Sequence, residues 1–409
     1  MRAPRLIALA LLATACGAPD GPIGSLPRDL SVAEGRLVAA DNRFAFGILK
    51  AVARQPEGRD NLFISPLSIS MALGMTLNGA AGATADSMRR ALELSELTID
   101  DANAAYRSVI DLLRDLDANV QFRIANSIWY RQGFEVEPAF LDVNRRFFDA
   151  RVEALDFASP TAPATINQWV SAGTEGKIPR IVSQIPADMV MYLVNAIYFK
   201  GAWTYRFDPQ DTQDRPFRLA SGTTKPVPTM TRDGTFYYHR DSAVEVVDLP
   251  YGRGAYRMTV LMPVTGGDLG RLIDALDQTA WDRAVAGLDS VSNALFLPRF
   301  TLQFGAGLVP TLRGMGMGIA FGDQANFTGI RRSGGLQISE VKHKSFVDVN
   351  EEGTEAAAAT SVGVRVTSVA PEVRVDRPFV FAIRERFSGT ILFIGKITDP
   401  TVANAGTVD

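Results

Sequence analysis

Apolar side chains recur along this chain at two spacings, and the interleaving of the two is the first guide to its fold. Phe44, Ile48 and Val52 fall every four residues, the spacing of one buried helix face. Ser65 and Pro66 form an N-cap and first-turn pair. Ile69, Leu73 and Leu77 predict the stripe of the helix they open, with Gly79 available to end it. Strand patterns dominate elsewhere. Residues 190–199 form a long apolar run with β-branched and aromatic members, which suggests a strand covered on both faces. Residues 244–249 and 256–262 predict two more strands, with Gly252 and Gly254 turning between them. A long strand is expected over 336–349, and a buried hairpin over 378–384 and 390–397. No fixed-period repeat is visible, and no Pro/Gly/Ser-rich linker interrupts 31–400. One α+β domain with large sheets is the expected architecture.

One segment breaks the pattern of polar loops. Residues 351–370 read EEGTEAAAATSVGVRVTSVA, with Pro371 after them. The alanine-rich half could be helical, but the Val, Thr and Gly that follow disfavour continuing a helix. Period two accounts for the whole stretch better. Thr354, Ala356, Ala358, Thr360, Val362, Val364 and Val366 are small or β-branched, while both charges, Glu355 and Arg365, fall among the alternate positions. That is a strand with one buried face. Its leading end is small throughout, and Gly353 supplies a pivot with free backbone angles. The segment is therefore suited to two states, exposed loop and inserted strand.

Composition narrows the function. The chain has 409 residues, 46% hydrophobic and 21% charged, with a net charge of −3, so it is globular and carries no basic excess to attract nucleic acid. Residues 1–15 read as a signal peptide: Arg2 and Arg5, an apolar stretch from Leu6 to Ala13, then small residues. Cys16 follows them directly and is the single cysteine, as in a bacterial lipoprotein signal where that cysteine is lipidated; ordinary secretion with nearby cleavage is the alternative. Either way no intramolecular disulfide is possible. Residues 16–30, rich in Gly and Pro, are expected to form a tether, and 401–409 a C-terminal tail. The expected location is the cell envelope, at the outer membrane or cell surface, or the extracellular medium, with membrane contact only through the lipid.

Catalytic equipment is sparse. The two histidines, His239 and His343, leave no zinc-type ligand set, and no G-x-S-x-G elbow is present. GTEGK at 173–177 has the wrong glycine spacing for a phosphate loop, and Ile178 stands where Ser or Thr is required. Neither an enzyme nor a metal or other cofactor is expected.

The sequence resembles the serpin family over nearly all of the chain after the leader. NLFISPLSISMAL at 61–73, INQWVSAGTEGKI at 166–178, LVNAIYFKGAW at 193–203, LPRF at 297–300, NEEGTEAAAAT at 350–360 and RPFVFAI at 377–383 occur in family order. The resemblance implies helices packed around three β-sheets with an exposed C-terminal reactive loop. It implies a hinge of Glu351, Gly353, Thr354, Ala356, Ala357, Ala358, Ala359 and Thr360. It also implies a shutter of Ser65, Ser68, Asn195 and His343, and a breach of Trp203, Arg299 and Glu351. Arg299 stands where relatives often carry Lys. By the same resemblance, the bait bond is expected sixteen residues after Glu351 and just before the Pro-Glu-Val motif at 371–373, at Thr367–Ser368. The implied function is inhibition of a serine protease by suicide cleavage and loop insertion, as a monomer. The implied target is elastase-like or subtilisin-like, because Thr367 is small and uncharged. Inhibition of cysteine proteases and a non-inhibitory carrier or chaperone role are the alternatives. Arg89, Arg90, Arg107 and Arg114 are scattered among acids, so no heparin site is expected.

Overall fold

The computed structural model describes residues 21–354 and 372–406. The leader 1–15, Cys16, hinge residues Ala356 to Thr360, the bond Thr367–Ser368 and residues 407–409 lie outside the described residues.

Along the chain come α1 (Val32–Ala53), β1 (Leu62–Ile64), α2 (Pro66–Leu77), α3 (Gly82–Ala91) and α4 (Ile99–Arg114). β2 (Val120–Arg131), α5 (Pro138–Phe148), β3 (Arg151–Leu155), α6 (Ala162–Gly173) and β4 (Met191–Ala202) follow. Next are β5 (Gln213–Arg218), β6 (Thr224–Arg240), β7 (Val244–Tyr251) and β8 (Tyr256–Pro263). After them run α7 (Leu269–Ala275), α8 (Gln278–Ala286), β9 (Asp289–Pro298), β10 (Phe300–Gly307) and α9 (Val309–Leu312). The last elements are β11 (Lys342–Asn350), β12 (Gly353–Thr354), β13 (Glu372–Arg374), β14 (Phe379–Glu385), β15 (Ile391–Ile397) and β16 (Asn404–Ala405).

Local chemistry explains the two helices that matter most. α1 starts in a capping box, Ser31 with Glu34, and buries Phe44, Ile48 and Val52. α2 starts on Ser65, whose Oγ accepts from Ser68 N at 3.2 Å, with Pro66 in the first turn. It ends at Leu77 with Asn78 as cap, so Gly79 is not its terminator. Gly79 is needed for close packing instead: a Cβ there would lie 2.1 Å from Ile330 Cγ1.

The strands form a nine-stranded and a seven-stranded sheet. Two of the expected sheets run into one another through β6, which pairs with β5 over its first residues, with β9 from Thr229 to Tyr238 and with β7 at its end. In this sheet β14 is hydrogen-bonded along its length to β15 and β8, and all its residues are buried. The seven-stranded sheet runs β16-β10-β11-β12-β4-β2-β3. The main core lies between the two sheets and α1, α2 and α4. A second, smaller apolar cluster, including Trp129, Ile166, Val170 and Val182, sits where α6 covers the seven-stranded sheet.

Three sequence expectations need correction. β11 begins at Lys342 rather than 336, because its neighbour β10 ends at Gly307, opposite Lys342. Residues 21–30 of the expected tether are docked: Ile23 N donates to Arg253 O at 2.9 Å, and Arg28 forms an ion pair with Glu34 at 2.6 Å. The expected tail is anchored as well, since β16 pairs in parallel with β10 and Ala405 is buried.

Candidate functional site: an open sheet and its hinge

The expected hinge begins where β12 sits between β11 and β4. Thr354 lies opposite Val349 on one side and Gly201 on the other, and Gly353 lies opposite Asn350 and Ala202. Gly353 has φ +151°, and a Cβ on it would lie 2.1 Å from Gly201 O, so no larger residue fits this approach. Thr354 is buried on the core side, as its even-numbered place in the period-two pattern requires. Its hydroxyl bonds the Tyr251 hydroxyl at 2.7 Å. Tyr251 stacks on Trp203, ring centroids 4.4 Å apart.

The breach residues converge here. Trp203 Nε1 donates to Asn350 O at 2.9 Å, and Trp203 N to Glu352 O at 2.8 Å. Glu351 is buried, and its carboxylate accepts from Thr212 Oγ1 at 2.7 Å. Arg299 Nη1 stands 3.7 Å from that carboxylate and is half exposed, an ion pair without a close hydrogen bond. Sequence reasoning missed Tyr251, Thr212 and Asn350. A Tyr two residues past an apolar strand, beside the glycine turn, was the one available signal for Tyr251.

Beneath the strands, the expected shutter residues also meet. Ser65 N donates to His343 Nε2 at 3.2 Å, and Ser65 Oγ donates to Leu392 O at 2.7 Å. Ser68 Oγ bonds Asn195 Oδ1. Asn195 Nδ2 donates to Asn126 Oδ1 at 2.6 Å, and Asn126 Nδ2 to Phe148 O at 2.7 Å. Asn126 extends the network and was not foreseen. His343 is fully buried, and burial lowers its pKa from 6.5 to about 4. The imidazole is therefore neutral at pH 7, as its acceptor role at Nε2 requires.

Below Thr354 no ladder joins β4 to β11 among the described residues. A cavity of about 410 Å³ separates them, lined by Asp188 to Ala196 on one side and Gly335 to Lys344 on the other. Ser68 and Leu73 of α2 form its floor, and Val170 of α6 with Ile178 and Val182 form its cover. Both flanking strands are fully bonded on their outer sides, to β2 and to β10. Two rows of backbone donors and acceptors thus face one gap, an arrangement that can accept one more strand. Among the described residues no group of three or more His, Cys, Asp or Glu could hold a metal.

Comparison with known proteins agrees with this architecture. Residues 39–400 match the family described as Serpin (serine protease inhibitor). Serpin B6 of Bos taurus is 37% identical over 382 residues, covering 89% of this chain and 99% of its own. Leukocyte elastase inhibitor of Sus scrofa is 35% identical over 381 residues, covering 89% and 100%. Among solved structures, human thyroxine-binding globulin superposes with TM-score 0.83 at 27% identity, over 91% of this chain and 100% of that one. The thermophilic serpin Tengpin in its native state gives 0.82 at 27%, over 93% and 97%. The short strand Gly353–Thr354 seated between β11 and β4, the cavity beyond it and this likeness along almost the whole sequence lead to one conclusion: the chain belongs to the serpin family and is a protease inhibitor, not an enzyme.

Proposed function

We propose that this protein inhibits serine-type endopeptidases as a suicide substrate, offering Thr367–Ser368 as bait and inserting the cut segment between β4 and β11. The register of the hinge is the observation that carries this reading. β12 is antiparallel to both neighbours, so each step forward along the segment is a step back along each of them. Six residues beyond Thr354, Thr360 would meet His343 on one side and Asn195 on the other. Thirteen residues beyond, Thr367 would meet Leu336 and Asp188. Leu336 and Asp188 both line the cavity, so on this register the proposed bait residue would still lie beside it.

Insertion would add about a dozen ladder hydrogen bonds at about 1 kcal/mol net each, on the order of 10 kcal/mol in total. That is comparable with the stability of a whole domain, so the uncut state is held by a barrier. Thr367 preceded by Val366 suits an enzyme with a small apolar pocket, and one relative is named for inhibiting leukocyte elastase. Incubation with an elastase-type or subtilisin-type protease should give an SDS-resistant complex. Mass spectrometry should find the cut at 367–368. Complete cleavage without complex would favour the non-inhibitory alternative, and a complex formed only with cysteine proteases would move the target class.

We propose also that the chain is exported and held at the cell envelope through lipid on Cys16. The support is the leader pattern of Arg2, Arg5 and the apolar stretch ending in small residues. Gly17 rather than Asp follows the cysteine, which is compatible with an outer membrane in a two-membrane cell. Cys16→Ser should abolish incorporation of a labelled fatty acid and release the protein from the membrane fraction. Unchanged fractionation counts against the anchor.

A further inference from the structure

The segment before α1 reaches the same corner of the molecule as the hinge. Ile23 N donates to Arg253 O at 2.9 Å, and Arg253 Nε donates back to Gly21 O at 2.8 Å. The far end of the segment is fastened too. Arg28 bonds both carboxylate oxygens of the buried Glu34, at 2.6 and 2.8 Å, and Ser108 Oγ of α4 at 2.8 Å. Ile23 and Leu30 pack against the main core. Residues 21–30 are therefore a strap fixed at two points, one of which is the β7–β8 turn.

That turn is laced to the top of the open sheet. Gly252 N donates to Ala202 O at 2.8 Å, and Thr204 Oγ1 donates to Gly252 O at 2.8 Å. Arg253 N donates to Asp117 Oδ2 at 2.7 Å. Two residues before Arg253 stands Tyr251, whose hydroxyl is the side-chain partner of Thr354. A continuous path of bonded groups runs from Gly21 through Arg253 and Tyr251 to the first inserted side chain of the hinge.

We propose that the 21–30 strap regulates the hinge: its grip on the turn holds Tyr251 in place, and Tyr251 in turn holds Thr354 in the sheet. Releasing the strap loosens the turn, and the hinge leaves its seat between β4 and β11 more often. The N-terminal segment thereby sets how readily insertion starts. This inference rests on the insertion reading for its consequence, but the coupling itself is measurable without any protease.

The test is amide hydrogen exchange at Gly353 and Thr354 in the full chain. In Ile23→Pro/Arg253→Ala, which removes both bonds between strap and turn, exchange at the two hinge amides should rise about ten-fold, within the range usual for coupled sites. Tyr251→Phe, which removes only the hydroxyl, should raise hinge exchange similarly while the strap stays protected. Combining the changes should add nothing beyond Tyr251→Phe, because the path runs through that hydroxyl. Unchanged hinge exchange in the strap variant overturns the proposal, as do effects that multiply in the combined variant. Coupling seen in a chain that traps no protease would leave this inference standing and sink the inhibitory one.

Discussion

Strand β14 and the pair β4 and β11 are built from similar material and stand in opposite conditions. β14 has a hydrogen-bonded neighbour on each side, β15 and β8, and buries every residue. Phe381 stacks at 5.4 Å on Phe63, which stacks in turn on Phe393 at 5.0 Å. β4 and β11 are each bonded along their length to one neighbour, β2 and β10, and beyond the two residues of β12 a cavity separates them. The difference is not hydrophobicity but completion. In β14 every backbone group is committed, so the region has one low-energy arrangement. Below Thr354 no ladder joins β4 to β11 among the described residues, and under the proposed insertion the segment beyond Thr354 would pair with both. A region of the first kind supplies stability, and under the proposed insertion one of the second kind would hold it back for later release.

The largest expected effect is on the difference between cut and uncut protein. Cleavage at 367–368 should raise the midpoint of thermal unfolding by more than about 10 °C, since on the order of 10 kcal/mol is added to a chain of this size. A calorimetric scan of both forms checks it. Thr354→Arg should erase part of that gain, because the uncut form can release residue 354 from its seat whereas insertion would force the unpaired charge beside Tyr251, a cost of several kcal/mol. Protease should still cut the variant at the same bond, and the yield of trapped complex on a gel should fall at least about ten-fold, since slower insertion loses to deacylation. Glu355→Arg, on the opposite face of the period-two pattern, should trap normally.

Phe381→Ala probes the completed region. It should destabilise cut and uncut forms equally, by about 3–5 kcal/mol, the usual range for a buried Phe. Denaturant midpoints of both forms decide this, and an effect confined to one form would mean that the two regions are not separable. The smallest effect is with pH. The folded pKa of His343 is lowered to about 4 from 6.5, so the unfolded chain binds the proton more readily between those values. Stability is fully present above pH 6.5 and falls as pH drops toward 4. Asp41 works the other way: buried against Ser70 and Tyr106, its carboxyl is raised to about 7 from 3.8, so stability falls as pH rises across that window. The two windows overlap with opposite slopes, so in urea titrations between about pH 4 and 6.5 the stability of His343→Gln should fall as pH rises, and that of Asp41→Asn should rise.

Much of this contrast could be read from the sequence. The α1 stripe, the Ser65 cap and the buried hairpin depend on neighbours close in sequence, where periodicity and capping chemistry speak plainly. The strand at Gly353 and Thr354 was legible because they open a period-two run unlike any ordinary loop; the rest of that run lies outside the described residues. Other features depend on distant partners that no local pattern encodes. β11 starts late because β10 ends. β16 is too short to show a period. Residues 21–30 look like a tether by composition, yet Ile23 and Arg28 each find partners far along the chain. Asn126 and Tyr251 are ordinary strand residues until the fold sets them beside Asn195 and Thr354.

The account stands or falls on where residues 355–367 go after cleavage, and amide exchange on the cut protein reads this directly. The account predicts that amides at 356–366 become strongly protected, together with the cavity-facing amides of β4 and β11, while those of β14 stay as they were. If 356–366 exchange as freely after the cut as before it, nothing has entered the gap and the insertion reading is wrong.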